Sequence, residues 1–593
     1  DAFTEEEAIA GAPVSGPESK SADRIVKGSA SIGGIAFLTY VAAFLWKPVI
    51  AAFLGAGVTA DAFNLAVLLV NRIYKAWEKL IWPSFLPTLS SEKTEHGEAG
   101  GWRFASSLIS LQFLLLAGLA TVGIVTPEFW TRLVIEGGDL FDFDFAGFRQ
   151  PESGLWILDA RLNAMQRDVS RLLIRGMSVA LVFLGLSSTT YQLLNSYKRF
   201  GFAHLGELAN KLGQVLGLVL FYMWLGLPGL IMAFVLGSAF KLGCHLVGLG
   251  RKLKNLRPAF DWTSPAMRRM AILIVPLLLG VVFAFVRDIV EYRLRSGFLG
   301  AMSIVTYGRT LGDVAIQIIP FALGIALFPF ISEYAARKED KRLFGLLWTA
   351  IRFVLTIFVP ISAFMIVFRV PLIQFVFERG EFMDNPTNLP ITANTSAWYA
   401  LGMVGFAAEI ILGQFFFAKK NTLIPTVLGI CTSILLLILM YTGTRPGYLF
   451  TMAEPEYGFT MAHTVAKSLK SAILVGLLVL IFPRIGMWGS ELGRTLWSFV
   501  RILVAVAAAC VASLLVAWLV MGETPWAIVF RGAPIPYRFD STLLTMLVKF
   551  VCLLAIGVPG LAAYLGALAA LRVPEFQLTY GWVRDKIGHR LGR

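Results

Sequence analysis

Charged side chains stand inside long apolar stretches of this sequence, and their types and spacing suit the binding of an anion. An ionised group within an apolar segment is costly unless it faces a partner or water, so such residues mark binding or transport sites. The candidate anion-binding residues are five cations: Lys47, Arg72, Lys75, Arg287 and Arg309. The candidate cavity acids, or ion-coupling groups, are Asp61, Glu78, Asp288 and Asp313.

Cations outnumber acids in the apolar stretches that hold these residues. Eight cations oppose five acids when Lys79, Arg293, Arg295 and Glu291 are included. The surplus predicts a cationic, water-accessible cavity for an anionic substrate. The alternative is structural ion pairing, because Arg72 with Glu78, Arg287 with Asp288 or Glu291, and Arg309 with Asp313 are within reach on a helix. Four later cations stand near the expected ends of apolar stretches and are expected to snorkel to the membrane surface: Lys467, Lys470, Arg501 and Lys549.

Signatures of catalysis and of cofactor binding do not occur in the sequence. It has no P-loop, no HExxH zinc motif, no paired-cysteine spacing and no GxSxG elbow. The five histidines are scattered, and the four cysteines lie far apart in apolar surroundings. The net charge is +14, but no long Lys/Arg run or zinc spacing indicates nucleic acid. We therefore expect no enzyme, no cofactor, no metal and no nucleic-acid partner.

The elements that position these residues follow from composition. Hydrophobic residues make up 57% of the 593 residues and charged residues 15%, which excludes an ordinary soluble fold. A membrane helix needs about 20 mostly apolar residues. Such runs predict an all-α polytopic membrane protein of about fourteen spans, near 30–54, 61–88, 104–126, 169–193, 205–224, 227–248, 267–292, 298–332, 346–377, 393–418, 422–442, 460–482, 496–520 and 542–571.

The loops between the apolar stretches predict orientation and domain organisation. Lysine and arginine concentrate in alternate loops, which places both termini in the cytoplasm. We expect a cytoplasmic tail at 1–29 and a basic cytoplasmic tail at 572–593. Between them lie an N-lobe of helices 1–6 at 30–248, with an extracytoplasmic insertion near 127–168, a C-lobe of helices 7–11 at 249–442, and helices 12–14 at 443–571. The acid–apolar alternation at 139–145 is interpreted as part of an ordered loop, with a short strand or a partner surface as alternatives.

Five short motifs carry a resemblance to a known family. In order along the chain they are LGAGVTADAF at 54–63, LNSYKRF at 194–200, ALGIALFPFIS at 322–332, FERGEF at 377–382 and FFAKKNTLIP at 416–425. The glycines of the first suit a tight turn, and Asp61 is expected to cap the helix that follows. Together, over residues from about 30 to 440, these motifs resemble the MurJ/MviN-type lipid II flippases, within the larger group of polysaccharide and multidrug exporters.

The sequence departs from the family where charged motifs are expected. Trp46-Lys47 stands where the family has Arg-Asp, and Arg309-Thr310 where it has Asp-Arg. Positive charge is retained in the same helices but shifted along them. Lysine in place of arginine also loses the bidentate fork that grips phosphate. The sequence is therefore identified as a divergent member of the family.

The resemblance implies a two-lobed flippase of the bacterial inner membrane. Such a protein moves an anionic polyprenyl-diphosphate-linked glycan, lipid II or a related cell-envelope precursor, by alternating access, with membrane potential or ions in place of ATP. The five candidate cations would hold the diphosphate, and a groove in helices 12–14 would take the lipid tails. Membrane lipids are further expected partners.

Two alternatives remain open from the sequence. The first is a non-transporting, flippase-like scaffold that binds membrane-protein partners through 127–168 and the N-terminal tail. The second is an ion-coupled drug exporter, which predicts a smaller and less cationic site.

Overall fold

The protein is helical throughout the part of the chain that the structure describes. The computed structural model describes residues 17–135, 160–419, 421, 423–444, 452–481, 488–577 and 580, and no strand occurs among them. The helices are α1 Pro17–Leu54, α2 Val58–Val125, α3 Pro127–Val134, α4 Ala160–Met177, α5 Ala180–Ser196, α6 Phe200–Gly217, α7 Met223–Leu225, α8 Leu227–Leu249, α9 Pro265–Ser296, α10 Ala301–Ala336, α11 Asp340–Val367, α12 Arg369–Phe377, α13 Asn388–Ala418, α14 Leu423–Gly443, α15 Pro455–Ile481, α16 Trp488–Met521 and α17 Thr542–Ala570. The all-α prediction is confirmed.

Many of these helices are long and apolar enough to cross a membrane. Nine qualify among the described residues, and eleven do if each of two bent helix pairs is taken as one span. The bent pairs are Ala164–Met177 with Ala180–Ser196, at 45°, and Pro265–Val275 with Leu277–Ser296, at 49°. The polytopic membrane fold is confirmed, whereas the count of fourteen spans and the cytoplasmic termini remain predictions.

Several predicted spans have different boundaries in the structure. α2 has 68 residues, about 100 Å at 1.5 Å per residue, far more than a bilayer core needs. It is broken at Gly97, whose φ of 68° and ψ of −174° are not helical, so it contains the spans expected at 61–88 and 104–126. The span expected at 169–193 crosses the bend between α4 and α5. The span expected at 346–377 is two helices, because α11 ends at Val367 and α12 begins at Arg369.

The chain forms two compact units that are interleaved in sequence. Unit 1 comprises residues 1–46, 66–130 and 171–285, and unit 2 comprises residues 47–65, 131–170 and 286–593. The insertion expected near 127–168 contains α3 and the beginning of α4. The alternation at 139–145 and the first sixteen residues lie outside the described residues, so the partner surfaces expected there stay predictions.

In unit 1, small residues bring α6 and α8 into close contact. A Cβ added to Gly213 would lie 2.8 Å from the Cα of Gly237, and one added to Gly217 would lie 2.6 Å from the Cα of Ala233. Small residues four positions apart on both helices allow this approach, as is typical of packing within membranes. The close contact brings polar side chains of α6 and α8 within hydrogen-bonding distance of each other.

In unit 2, two motif turns pack against each other. Gly380 has a φ of +55°, and a Cβ there would lie 2.1 Å from the Ala52 carbonyl oxygen, so only glycine fits this turn. Gly55 has a φ of +63° and faces the Glu381 backbone, and its carbonyl accepts a hydrogen bond of 2.9 Å from the Tyr307 hydroxyl. Motifs that are more than 300 residues apart therefore form one packed junction.

Candidate functional site

Unit 1 contains a buried polar group, the Lys241 cluster, formed by Tyr74, Glu78, Glu207 and Lys241. The Lys241 ammonium donates to the Glu207 carboxylate and to the Tyr74 hydroxyl, the latter at 2.8 Å. The Tyr74 hydroxyl donates in turn to Glu78 at 3.2 Å. The Lys241 side chain is only 2% exposed. Because this ammonium has both a carboxylate and a phenol as acceptors, its charge is compensated within the protein.

The predicted cations of unit 1 lie on α2 around this cluster. Arg72 is half-buried, Lys75 is exposed, and Glu78 is half-buried and belongs to the cluster itself. Glu78 accepts a hydrogen bond from Tyr74, and the ion pair of Arg72 with Glu78, one of the alternatives from the sequence, stays a prediction. Of the candidates in this unit, Lys75 is therefore the most accessible to a ligand.

Unit 2 contains a second polar group, the Arg309 cluster, formed by Glu291, Arg295, Arg309, Asp313, Tyr399 and His463. Its inner part is an ion pair within α9, in which Arg295 Nη2 lies 2.5 Å from Glu291 Oε1. Its outer part is on α10, where Arg309 Nη2 lies 3.9 Å from Asp313 Oδ1. α15 contributes His463, and α13 contributes Tyr399. Apolar packing of Leu294 and Phe298 against Phe459 brings α9 and α15 together at this point.

His463 joins the inner and outer parts of the Arg309 cluster. Its Nε2 lies 3.0 Å from Glu291 Oε1, 3.3 Å from Arg295 Nη2 and 3.4 Å from Arg309 Nη1. A ring nitrogen donates when it carries a proton and accepts when it does not. It can therefore donate to the carboxylate or accept from a guanidinium, but not both, so the cluster has two alternative hydrogen-bond arrangements.

Arg309 is the least satisfied cation of its cluster. Its side chain is 26% exposed, and its nearest carboxylate, that of Asp313, also accepts a hydrogen bond from the Tyr399 hydroxyl. The guanidinium carbon lies 5.0 Å from the centroid of the Tyr399 ring. Nε of Arg309, like that of Arg295, is buried without an acceptor among the described residues, so the difference between the two cations lies in their counterion distance and exposure. A partly exposed guanidinium with a distant counterion retains capacity for an anion.

The remaining predicted cations of unit 2 are arranged differently. Arg287 pairs with its neighbour Asp288 at 2.5 Å, as the pairing alternative expected. Lys47 is half-buried on α1. The nine predicted site residues are thus divided between the units: Arg72, Lys75 and Glu78 belong to unit 1, whereas Lys47, Asp61, Arg287, Asp288, Arg309 and Asp313 belong to unit 2.

Asp61 caps a helix, but not the helix expected. The sequence predicted a cap on α2, which contains Asp61. The fully buried carboxylate instead accepts three hydrogen bonds at the start of α10: from the Gly300 amide at 2.7 Å, the Ser303 amide at 2.9 Å and the Ser303 hydroxyl at 2.7 Å. A carboxylate is stabilised at a helix N-terminus by free amides and the helix dipole. With three donors and no exposed surface, it holds the protein together and does not line a cavity.

The expectation that later lysines snorkel to the surface is wrong for Lys549. This side chain is buried and donates to Glu378 of the FERGEF motif. Lys467 and Lys470 both bond to Glu409, at 2.9 and 2.6 Å. Each of these lysines forms an ion pair with a carboxylate on another segment and so stabilises the packing of helices. The sequence of one helix alone does not reveal such a partner.

Sequence reasoning missed the residues that complete both clusters: Glu207, Lys241, Tyr399 and His463. Lys241 had a visible signal, since it is the one Lys, Arg, Asp or Glu residue in the apolar stretch that became α8. Glu207 had a weaker signal, four residues before Lys211 on the neighbouring stretch. Tyr399 and His463 had none, because their role depends on which helices are neighbours.

The sequence of this chain is similar to that of a known protein family. A family model described as "Lipid II flippase MurJ" matches residues 50–530. A probable lipid II flippase MurJ of Rhizobium meliloti (strain 1021) is 23% identical over 510 residues, which cover 84% of this chain and 87% of the relative. The lipid II flippase MurJ of Burkholderia cenocepacia is 23% identical over 452 residues, which cover 75% of this chain and 82% of the relative.

Solved structures resemble the fold. A lipid II flippase MurJ in an inward closed conformation aligns with a TM-score of 0.62 at 16% identity, covering 88% of this chain and 97% of that one. An inward-facing multidrug resistance transporter of the MATE family, in the MOP superfamily, aligns with a TM-score of 0.55 at 11% identity, covering 75% and 94%. At these identities the likeness establishes the fold only. The family model spans most of the sequence and establishes the family: the chain belongs to the MurJ family of lipid II flippases.

Proposed function

We propose that this protein is a flippase that carries an anionic polyprenyl-diphosphate-linked glycan, lipid II or a related cell-envelope precursor, across the bacterial inner membrane by alternating access. Its family and the names of its relatives support transport over the scaffold alternative. Alternating access is the mechanism that many polytopic membrane transporters use, and the chain is helical and polytopic in the part that the structure describes. The termini are cytoplasmic in this proposal, and helices α16 and α17 contact the lipid tails.

The observation that carries the proposal is the incomplete satisfaction of Arg309. A cation within a membrane protein is costly, and a structural one is normally paired. Arg309 has its carboxylate 3.9 Å away, and its side chain is 26% exposed. A diphosphate offers several charged oxygens, two of which a guanidinium can bind in a bidentate manner. Arg309 is therefore the first contact for the diphosphate, and Lys47, Arg72, Lys75 and Arg287 contribute further positive charge.

Transport by purified, reconstituted protein tests this proposal. Liposomes receive a fluorescent lipid-linked oligosaccharide, and its movement between leaflets is followed under an imposed membrane potential. Arg309→Gln keeps hydrogen-bonding capacity but removes the charge, so we expect normal yield and a transport rate reduced by about 10- to 100-fold, the loss of one charge-assisted contact. Arg309→Lys should recover part of the rate, because it restores charge without the bidentate fork.

The matched control is Arg538→Gln, which removes one positive charge from an exposed arginine bonded to Glu378. It should transport at the wild-type rate. An Arg309→Gln variant that also transports normally would show that Arg309 does not contact the substrate. Wild-type protein that moves no lipid-linked oligosaccharide at any potential would contradict the flippase itself and favour the scaffold.

A further inference from the structure

Unit 2 contains a cleft that neither polar cluster uses. It has a volume of about 400 Å³ and lies where α11 ends, α12 begins, and α13 and α15 start. Its lining includes three polar residues, Arg369, Asn394 and Tyr457, and three large apolar residues, Ile366, Trp398 and Leu401. This volume is within the range of sites for small ligands.

The cleft contains a cation that no carboxylate neutralises. Arg369 donates from Nε to Asn394 Oδ1 at 2.8 Å, and its remaining bonds go to backbone carbonyls of Ile366, Val529 and Phe530, at 3.2, 2.7 and 3.3 Å. All four acceptors are neutral, and among the described residues no carboxylate lies within 4 Å of the guanidinium. The bonds fix the guanidinium in place without compensating its charge.

Two acids adjoin the cleft lining in sequence, and neither forms an ion pair with Arg369 among the described residues. Glu454 follows Met452 and Ala453, and Glu456 precedes Tyr457. Burial raises the pKa of the Glu454 carboxyl to about 7, so it carries only part of a negative charge at neutral pH. Among the described residues that line the cleft, Arg369 is the one that carries a full charge, and an anion is the complementary charge.

Polarity changes along the cleft. Asn394 and Leu401 are both on α13, seven residues apart, which is about 10 Å along the helix axis. The Asn394 end also holds Arg369, which follows the last residues of α11, and Tyr457, in the first turn of α15. It therefore lies level with the ends of the spans, where lipid headgroups are found. The Leu401 end is apolar and further inside the span, and Leu401 itself is 54% exposed.

We propose that this cleft binds an anionic phospholipid, with its phosphate against Arg369 and part of one acyl chain along Trp398 and Leu401. A soluble anion would use the cation but leave the apolar part of the cleft empty. A zwitterionic lipid would fill the apolar part but bring its own positive charge towards the guanidinium. The inference does not rest on the proposed transport, because none of the residues that line the cleft is assigned to the diphosphate.

Native mass spectrometry of the purified full-length protein tests this inference. Delipidated protein is incubated with phosphatidylglycerol or phosphatidylcholine in detergent, and the lipid-bound fractions are compared. We expect wild-type protein to prefer phosphatidylglycerol by about tenfold, the order of one charge-assisted contact. Arg369→Gln should abolish the preference, and Arg538→Gln, the matched loss of charge outside the cleft, should keep it.

A second variant guards against a folding effect, because Arg369 also fastens the Val529 and Phe530 carbonyls. Ala397→Trp fills the cleft without removing any bond of Arg369, and it should lower phosphatidylglycerol binding while the protein stays monodisperse. Equal binding of the two lipids by wild-type protein, or undiminished binding by Ala397→Trp, would overturn the inference. Displacement of phosphatidylglycerol by millimolar inorganic phosphate would show a simple anion site and would equally overturn it.

Discussion

The Lys241 cluster and the Arg309 cluster contain the same kinds of groups but satisfy them to different degrees. In unit 1, a 2% exposed ammonium donates to a carboxylate and a phenol. In unit 2, a 26% exposed guanidinium has its nearest carboxylate 3.9 Å away. The first arrangement is closed, and the second is open to a ligand.

This difference shows how a membrane protein can hold cations for two purposes. A buried cation whose donors are engaged stabilises helix packing, because removing either partner leaves an uncompensated charge. A partly exposed cation with a distant counterion contributes little to stability, and its charge remains available. The exposure of a cation and the distance to its counterion therefore say more about its role than its position in a span does.

The largest expected effect is on the closed cluster. Glu207→Gln leaves the buried Lys241 ammonium without a carboxylate and should destabilise the protein by up to about 3–5 kcal/mol, the cost of breaking a buried ion pair, with the upper end reduced because the Glu207 side chain is 36% exposed. The measurement is the melting temperature and the monodisperse yield in detergent. The double variant Glu207→Gln/Lys241→Met removes both charges and should recover most of the loss. A single variant as stable as wild type would mean that water already compensates Lys241, and the cluster would not be closed.

An intermediate effect is expected where the Arg309 cluster is internally bonded. His463→Phe removes the contact of Nε2 with Glu291 but leaves the Glu291–Arg295 ion pair intact. We expect a loss of about 1.5–3 kcal/mol, the value of a hydrogen bond to a charged group, measured by the same thermal unfolding. The matched variant is His204→Phe in unit 1, a histidine outside both clusters, which should change stability less. A loss of stability as large as that of Glu207→Gln would show that the Arg309 cluster depends on His463 more than on the Glu291–Arg295 ion pair.

The smallest effect on stability is expected at the open pair. Asp313→Asn keeps a hydrogen-bonding partner for Tyr399 but removes the carboxylate that faces Arg309. Both side chains are more than a quarter exposed, so the expected change is below about 1 kcal/mol. The affinity for a diphosphate-bearing lipid should rise, because less negative charge competes for the guanidinium. Tighter binding measured by ligand-induced thermal shift, with unchanged stability of the free protein, would support the distinction between the closed Lys241 cluster and the open Arg309 cluster. A large loss of stability would contradict it.

The fold class could be predicted from the sequence because hydropathy is a property of each segment alone. The backbone of a membrane span must satisfy its hydrogen bonds internally, so a long apolar run already implies a helix. Breaks within runs were less predictable. Arg369 and Pro371 follow the break between α11 and α12, and Arg175 and Gly176 precede the bend between α4 and α5. Such residues do not by themselves mark a break, because Pro360 lies inside the continuous helix α11.

The candidate site was predictable only in part, and the reason is that partners come from distant helices. Arg309 and Asp313 were visible because they are four residues apart on one helix. Lys241 needed Tyr74 and Glu207, which lie 167 and 34 residues away along the chain. Asp61 was correctly read as a cap, but the helix that it caps begins about 240 residues later. Spacing reveals pairs within a helix, and tertiary packing decides the others.

The cap formed by Asp61 has a consequence for the synthesis of the chain. The Ser303 donors are 242 residues downstream, so at ~5–20 residues per second the ribosome adds them roughly 12–50 s after Asp61. Throughout that interval the carboxylate has none of its three native donors. Unit 1 ends at Phe285, so its whole sequence is made before residues 47–65 meet their partners in unit 2. The hairpin of α1 and α2 is therefore completed only when α10 has been made, and until then the Asp61 carboxylate must be compensated by water or by groups other than its native donors.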